Sequence, residues 1–354
     1  MENFTPSATV SRVWNVDIGA DQKFDITNLR PYVHEETVYA VDAKGVVTAY
    51  SLARGKRLWR NKIDQEISAG LGGNGEQLWA ATRGGEILAL SIADGELLWS
   101  ASVASEILTI PVATSDYVVV RSIDGRVMAF DARSGDKQWD YRSNIPVLSL
   151  RGVGEPLIDR DIVFLGLDNG RLVALNLKDG TVFWEQTITA PRGRSEVERL
   201  VDVDSAPVGD GDSLFVSGYQ GRIALLTALT GATRWSRDMS SNKPLALDDV
   251  HVYVADEQGV VWALDRESGS ARWKQDRLKR RRLTGVAPHA GYLAVGDFEG
   301  YMHWLSREDG SLVARRRVDD EAITNAPLVH GELLLAQSRG GALAALRIDP
   351  IRDE

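Results

Sequence analysis

Seven times along this chain two glycines stand ten residues apart, and in six of the seven a tryptophan follows four residues after the second. The copies are "KGVVTAYSLARGKRLW" (44–59), "GGEILALSIADGELLW" (84–99), "DGRVMAFDARSGDKQW" (124–139), "NGRLVALNLKDGTVFW" (169–184), "QGRIALLTALTGATRW" (220–235) and "QGVVWALDRESGSARW" (258–273). "EGYMHWLSREDGSLVA" (299–314) is the seventh, with Ala314 in place of tryptophan, and "GGALAALRI" (340–348) is an eighth cut short. Successive first glycines are 40, 40, 45, 51, 38, 41 and 41 residues apart. A period near 40 is that of a propeller blade of four short strands, and it constrains the fold more than any other feature. At 354 residues the chain exceeds the size at which one core stops growing. A ring of repeats escapes that limit, because its core grows by adding units.

Each unit resolves into four strands. In the third they are about "ILTIPVAT", "YVVVRSI", "RVMAFDA" and "KQWDYR". These runs are rich in β-branched and aromatic residues and bounded by Gly, Asp and Ser. The first glycine marks the hairpin before the third strand, and the second turns the third strand into the fourth. Alanine stands four residues after the first glycine in six of eight copies, a tightly packed position. Pro31, Pro111, Pro156, Pro207 and Pro327 each precede their first glycine by 14 residues, Pro244 and Pro288 by 15 and 12. Proline lacks a ladder donor, so these seven mark the starts of innermost strands. Trp59, Trp99, Trp139, Trp184, Trp235 and Trp273 are expected to dock blade on blade. The eighth unit lacks a fourth strand, whereas "SRVWNVDIG", with Trp14, is a strand without a unit. Pairing the two closes the ring without an open edge. The expectation is therefore all-β: one eight-bladed propeller over 10–348, a disordered polar lead over 1–9 and a tail over 349–354.

The period breaks at two adjacent places, "DYRSNIPVLSLRGVGE" after Trp139 and "EQTITAPRGRSEVERLVDVDSA" after Trp184. Both lie between the last strand of one blade and the first of the next, so both emerge on one face, where repeat proteins carry binding loops. Leu148 and Leu150 point the same way in extended chain, Arg151 follows, and Asp202 and Asp204 are again two apart. Apolar anchors beside an arginine and two carboxylates suit protein docking. The same residues also suit plain packing beneath the loop, with the aspartates capping turns or pairing with Arg151 or Arg199. A third connection on this face, "DRLKRRRL" (276–283), carries Arg277, Lys279, Arg280, Arg281 and Arg282. It reads either as a solvated basic loop or as a contact for an acidic partner or lipid phosphates.

Other chemistry is excluded by what the chain lacks. There is no cysteine, hence no disulfide, thiolate metal site or cysteine nucleophile. His34, His251, His289, His303 and His330 are scattered without metal-ligand spacing. Asp248–Asp249 and Asp319–Asp320 are adjacent and diverge in extended chain. Neither a nucleophile elbow nor a phosphate loop is present. A net charge of −9 argues against nucleic-acid binding. No stretch approaches the roughly 18 apolar residues that span a bilayer. No catalytic, metal or cofactor constellation emerges.

The repeats resemble the pyrroloquinoline-quinone (PQQ) type propeller repeat of quinoprotein dehydrogenases. "LSLRGVGEP", "GLDNGRLVALNLKDG", "SEVERLVDVDSAPV", "GYQGRIALLTALTG" and "VGDFEGYMHWLSREDG" narrow the resemblance to the BamB family, lipoproteins of the β-barrel assembly (BAM) machinery. That resemblance implies a non-catalytic scaffold at the periplasmic face of the outer membrane of a Gram-negative bacterium, without cofactor. It implies docking to the POTRA domains of a BamA-type partner through Leu148, Leu150, Arg151, Asp202 and Asp204. The scaffold reading itself adds nascent outer-membrane β-barrel chains as further partners, taken up by pairing strand edges. The family's lipid anchor is an acylated cysteine. "MENFTPSATV" offers none and no export segment, so it reads as a start codon on a mature chain. A closed ring without sticky edges favours a monomer. A PQQ-dependent dehydrogenase or a ligand-sensing propeller is the alternative.

Overall fold

The computed structural model describes residues 4–19, 29–143, 154–190, 202–203 and 205–351. Its strands form eight four-stranded antiparallel sheets. Seven are consecutive in sequence. The third holds Val112–Ala113, Tyr117–Arg121, Arg126–Asp131 and Lys137–Arg142, in that order across the sheet. First strands of neighbouring blades touch one another and so surround the axis of an eight-bladed β-propeller. Five first strands begin at the residue after a proline, at Tyr32, Val112, Leu157, Val208 and Leu328. A residue without an N–H ends the connection where no ladder partner exists.

The eighth blade is built from both chain ends. Ala8–Asp17 pairs antiparallel with Ala342–Pro350, outside Leu333–Gln337 and Leu328–His330. The ring therefore closes as expected, with Trp14 opposite Ala345. The ordered chain exceeds the expected limits at both ends. The Ser7 N–H donates to the Val313 carbonyl, and the strand starts at Ala8, because its partner runs on to Pro350.

Every large hydrophobic cluster is shared between two blades, so the core is a ring of interfaces. The interface of blades 3 and 4, for example, joins Val119, Val127 and Ala129 to Val163, Val173 and Leu175. The repeat's tryptophans lie across these interfaces. The Trp139 indole N–H donates to the Leu177 carbonyl of the next blade at 2.7 Å, and its ring lies over Gly180. Gly180 has φ +71°, and a Cβ there would stand 2.8 Å from the ring. The second glycine of each repeat is thus a socket for the preceding blade's tryptophan as well as a turn. The same stacking recurs at seven junctions, from Trp14 on Gly55 to Trp273 on Gly310.

Candidate functional site

The residue after a fourth strand donates its N–H to the carbonyl of the first glycine of its own repeat, as Ile63 does to Gly45, Val103 to Gly85 and Ile188 to Gly170. Connections between blades therefore lie on the same face as the hairpins before the third strands. Both long insertions attach here, between Arg142 and Leu157 and between Thr187 and Val208. Leu148, Leu150, Arg151 and Asp204 lie outside the described residues.

The bases of the two insertions are described, and they are unusual. At the junction of blades 3 and 4, where the first attaches, Arg121 of blade 3 reaches Asp168 of blade 4 in an ion pair. Arg121 is 2% exposed and Asp168 9%. Other blades carry Val41, Ala81, Gly166, Ser217, Ala255, Gly296 or Gln337 at the Arg121 register. Sequence reasoning passed over this pair. The available signal was an arginine ending the apolar run "YVVVR". The desolvation cost of two buried charges offsets much of their attraction, so the pair is expected to add little net stability while joining the two blades. Nearer the axis, Arg30 of blade 1 meets Glu155 at 2.9 Å, so the residue that leads into blade 4 is tied to blade 1.

The second insertion returns under cover. Asp202 is 2% exposed; its carbonyl accepts the Tyr219 N–H at 2.7 Å, and the Val203 N–H donates to Leu167. The Val203 carbonyl lies 2.0 Å from where a Cβ on Gly166 would be, so any side chain at 166 would displace it. The carboxylate expected to face a partner at position 202 is instead covered by the chain itself. Period-two spacing gives a shared side, not which side is wet. Beside it a polar cavity of about 310 Å³ opens between blades 4 and 5, lined by Thr189, Ala190, Gln220, Arg222 and Asp238 among others. Arg222 Nε donates to Asp238 at 2.7 Å.

The basic connection divides into one inward and several outward cations. Arg281 turns in, donating from Nε to Asp297 at 2.5 Å and from Nη2 to Glu299 at 2.6 Å. Asp297 also accepts from fully buried His303 at 2.7 Å. Burial works to raise the Asp297 pKa, but the hydrogen bonds from His303 and Arg281 outweigh it and the carboxyl stays below its usual range. Burial pushes His303 down, against the pull of Asp297, and its Nδ1 has no hydrogen-bond partner among the described residues. A neutral imidazole protonated at Nε2 satisfies both facts. Arg277, Lys279, Arg280 and Arg282 are exposed, Lys279 being paired with Asp276 at 2.8 Å. Among the described residues no three His, Cys, Asp or Glu side chains gather as a metal site would need.

A closed ring of eight four-stranded blades, locked by tryptophan on glycine and interrupted by long connections on one face, defines the class: a propeller of the quinoprotein repeat type. Its fold matches a quinohemoprotein alcohol dehydrogenase from Comamonas testosteroni with TM-score 0.76, over 96% of this chain and 76% of that one, at only 12% identity. Much greater likeness lies elsewhere. The crystal structure of BamB from Moraxella catarrhalis superposes with TM-score 0.88 at 27% identity, covering 96% of this chain and all of that one. The family model described as outer membrane protein assembly factor BamB matches residues 43–275. Proteins of that name are 42% identical in Alkalilimnicola ehrlichii, over 95% of this chain and 88% of theirs, and 36% in Bordetella pertussis, over 98% and 89%. The chain belongs to the BamB family of outer membrane protein assembly factors.

Proposed function

We propose that this chain is a non-catalytic docking subunit for outer-membrane protein assembly, holding the POTRA domains of a BamA-type protein against the face that carries the two insertions. The observation that carries this reading is positional. The two longest connections between blades spring from neighbouring junctions of one face, junctions that are held by the Arg121–Asp168 pair and by Val203 wedged against Gly166. Leu148 and Leu150 supply apolar anchors, each contributing about 1.5–3 kcal/mol on burial before association costs. Arg151 and Asp204 orient the partner. Asp202 acts from beneath, holding the returning chain. In this reading the work is done at the periplasmic face of the outer membrane, with a lipid tether, and the ring acts as a monomer that presents nascent barrel chains to its partner.

The test is a variant with Leu148, Leu150 and Arg151 all changed to alanine. Co-purification with the partner's periplasmic domains is expected to vanish while the circular dichroism spectrum and melting temperature hold. Unfolding of the variant would make these side chains core. Normal folding with undiminished binding would move the interface elsewhere. Mixing the protein with quinone and calcium addresses the enzyme alternative: stoichiometric quinone binding, seen as an absorbance change, would displace the scaffold reading.

A further inference from the structure

Docking at the insertions leaves one motif of this face unused, the connection over 276–283 between blades 6 and 7. It is held down from several sides. Leu278 and Leu283 are buried within the core shared by the two blades. The Arg280 N–H donates to the Gln258 carbonyl of the blade 6 hairpin, and the Arg281 carbonyl accepts from Phe298 of the blade 7 hairpin. Arg281 spans Asp297 and Glu299, with its guanidinium 5.5 Å from the Phe298 ring centre. On either side of this clamp, Arg280 and Arg282 hold left-handed backbone, at φ +64° and +46°. Left-handed arginine is unfavourable and persists only where its surroundings impose it. Alternating the backbone in this way turns the middle arginine in and its two neighbours out. Arg280 and Arg282 are exposed and make no ion pair among the described residues.

We propose that Arg280 and Arg282 form a preset receptor for a short acidic segment of a partner protein, with Phe298, 41% exposed, as its apolar floor. Fixing the backbone in advance sets where both side chains leave the surface and spares the loop's own ordering cost on binding. The neighbouring charges favour a narrow ligand over a broad one. Exposed Glu257 stands on one side, on the hairpin that anchors Arg280, and exposed Asp320 and Glu321 stand on the other, in the connection from blade 7 to blade 8. An anionic bilayer laid on this face would meet those carboxylates as well as the arginines, and like charges repel. A single strand or turn of acidic chain would lie between them.

Fluorescence anisotropy with a labelled octapeptide of alternating aspartate and leucine tests this, against its asparagine counterpart and vesicles containing phosphatidylglycerol. The aspartate peptide is expected to bind saturably, weaken with salt, and exceed the asparagine peptide by about tenfold or more. Arg280→Ser with Arg282→Ser is expected to lower that binding about tenfold at unchanged melting temperature. Arg281→Met, which keeps both outward arginines but removes their clamp, is expected to lower it about fivefold. If Arg281→Met does not fold, the double variant alone decides. Equal binding by parent and double variant, or a folded Arg281→Met that binds like the parent, overturns the proposal. So does capture by vesicles through the same two arginines without peptide binding. The Leu148, Leu150 and Arg151 alanine variant keeps peptide binding, so failure here and failure of docking at the insertions are distinguishable.

Discussion

At the junction of blades 3 and 4 the Trp139 ring, opposite Ala129 on its own sheet, crosses to the Leu177 carbonyl and stacks on Gly180. At the junction of blades 7 and 8 the same pair of positions is inverted. Trp304 stands where Ala129 stands, and Ala314 where Trp139 stands. The inversion follows from how the ring closes. In blade 8 the third strand runs straight through to Pro350, and the fourth strand arrives from the other chain end, so no hairpin joins them. There is consequently neither a socket glycine nor a hairpin carbonyl for a ring at position 314. The tryptophan moves one strand inward, and its indole N–H donates to His289 Nδ1 at 3.1 Å, while His289 Nε2 lies 3.0 Å from the Glu332 carbonyl of blade 8. The vacated outer position is closed by the N-terminal strand. Ala8 and Val10 join the cluster of Ala314 and Ile348, Arg316 donates to the Val10 carbonyl at 2.8 Å and Arg12 to that of Arg317 at 3.1 Å. One large and one small residue are kept across the strand pair, and only their order changes, as close packing of a fixed volume demands.

Breaking an ordinary lock carries the largest effect. Trp139→Ala removes a buried ring and its hydrogen bond, and is expected to destabilise the fold by about 3–5 kcal/mol in urea unfolding. Removing one partner of the buried pair at the same junction comes next. Asp168→Ala leaves Arg121 uncompensated, at about 3 kcal/mol, whereas Arg121→Met with Asp168→Leu restores most of the loss. Little recovery in the double variant would make the pair a net stabiliser and not a device for geometry. Ala314→Trp tests the seam directly. It restores the repeat's letter where no socket exists, and overpacking is expected to cost about 1–3 kcal/mol. A gain in stability would show that the inversion is accidental.

Architecture was legible because its signals are local and repeated. Glycine spacing gave the blades, five prolines gave the starts of first strands, and an orphan strand with Trp14 gave the closure. The lock was legible only by half. Trp139 was readable as a docking residue, but its socket is Gly180, 41 residues on, and nothing within one repeat assigns a turn glycine to a ring in another blade. Arg121 and Asp168 are separated by 47 positions, and only the ring brings them together. Trp304 and Ala314 were both in view, yet their exchange has meaning only once the two are known to be cross-strand partners. The basic connection was legible as a run of cations, either a solvated loop or a contact for an acidic partner or lipid phosphates. Its division into a partly buried clamp at Arg281 and outward Arg280 and Arg282 on either side depends on backbone angles that composition does not encode.

The two kinds of junction should also differ in their response to pH. Trp139 donates to a carbonyl, which does not titrate, whereas Trp304 donates to an imidazole nitrogen that is free only while His289 is neutral. Burial holds the His289 pKa below its ordinary value, against a weaker pull from the Glu332 carbonyl, and burial does the same to His303 on the same blade. Each folded-state pKa is depressed, so the unfolded chain binds the proton first. Stability is whole above the ordinary histidine value of about 6.5 and is lost as pH falls below it, by about 1.4 kcal/mol per histidine for each unit in which only the unfolded chain is protonated. Hydrogen exchange of the two indole N–H groups reads this by position. Between pH 7.5 and 5.5, after correction for intrinsic rates, protection of Trp304 is expected to fall while that of Trp139 changes less. His289→Gln, which keeps a donor and an acceptor but does not titrate, is expected to remove about half of the pH slope, leaving the share of His303. An unchanged slope in that variant, or equal loss of protection at both tryptophans, would mean that the seam opens only with the whole ring and that its different construction has no separate consequence.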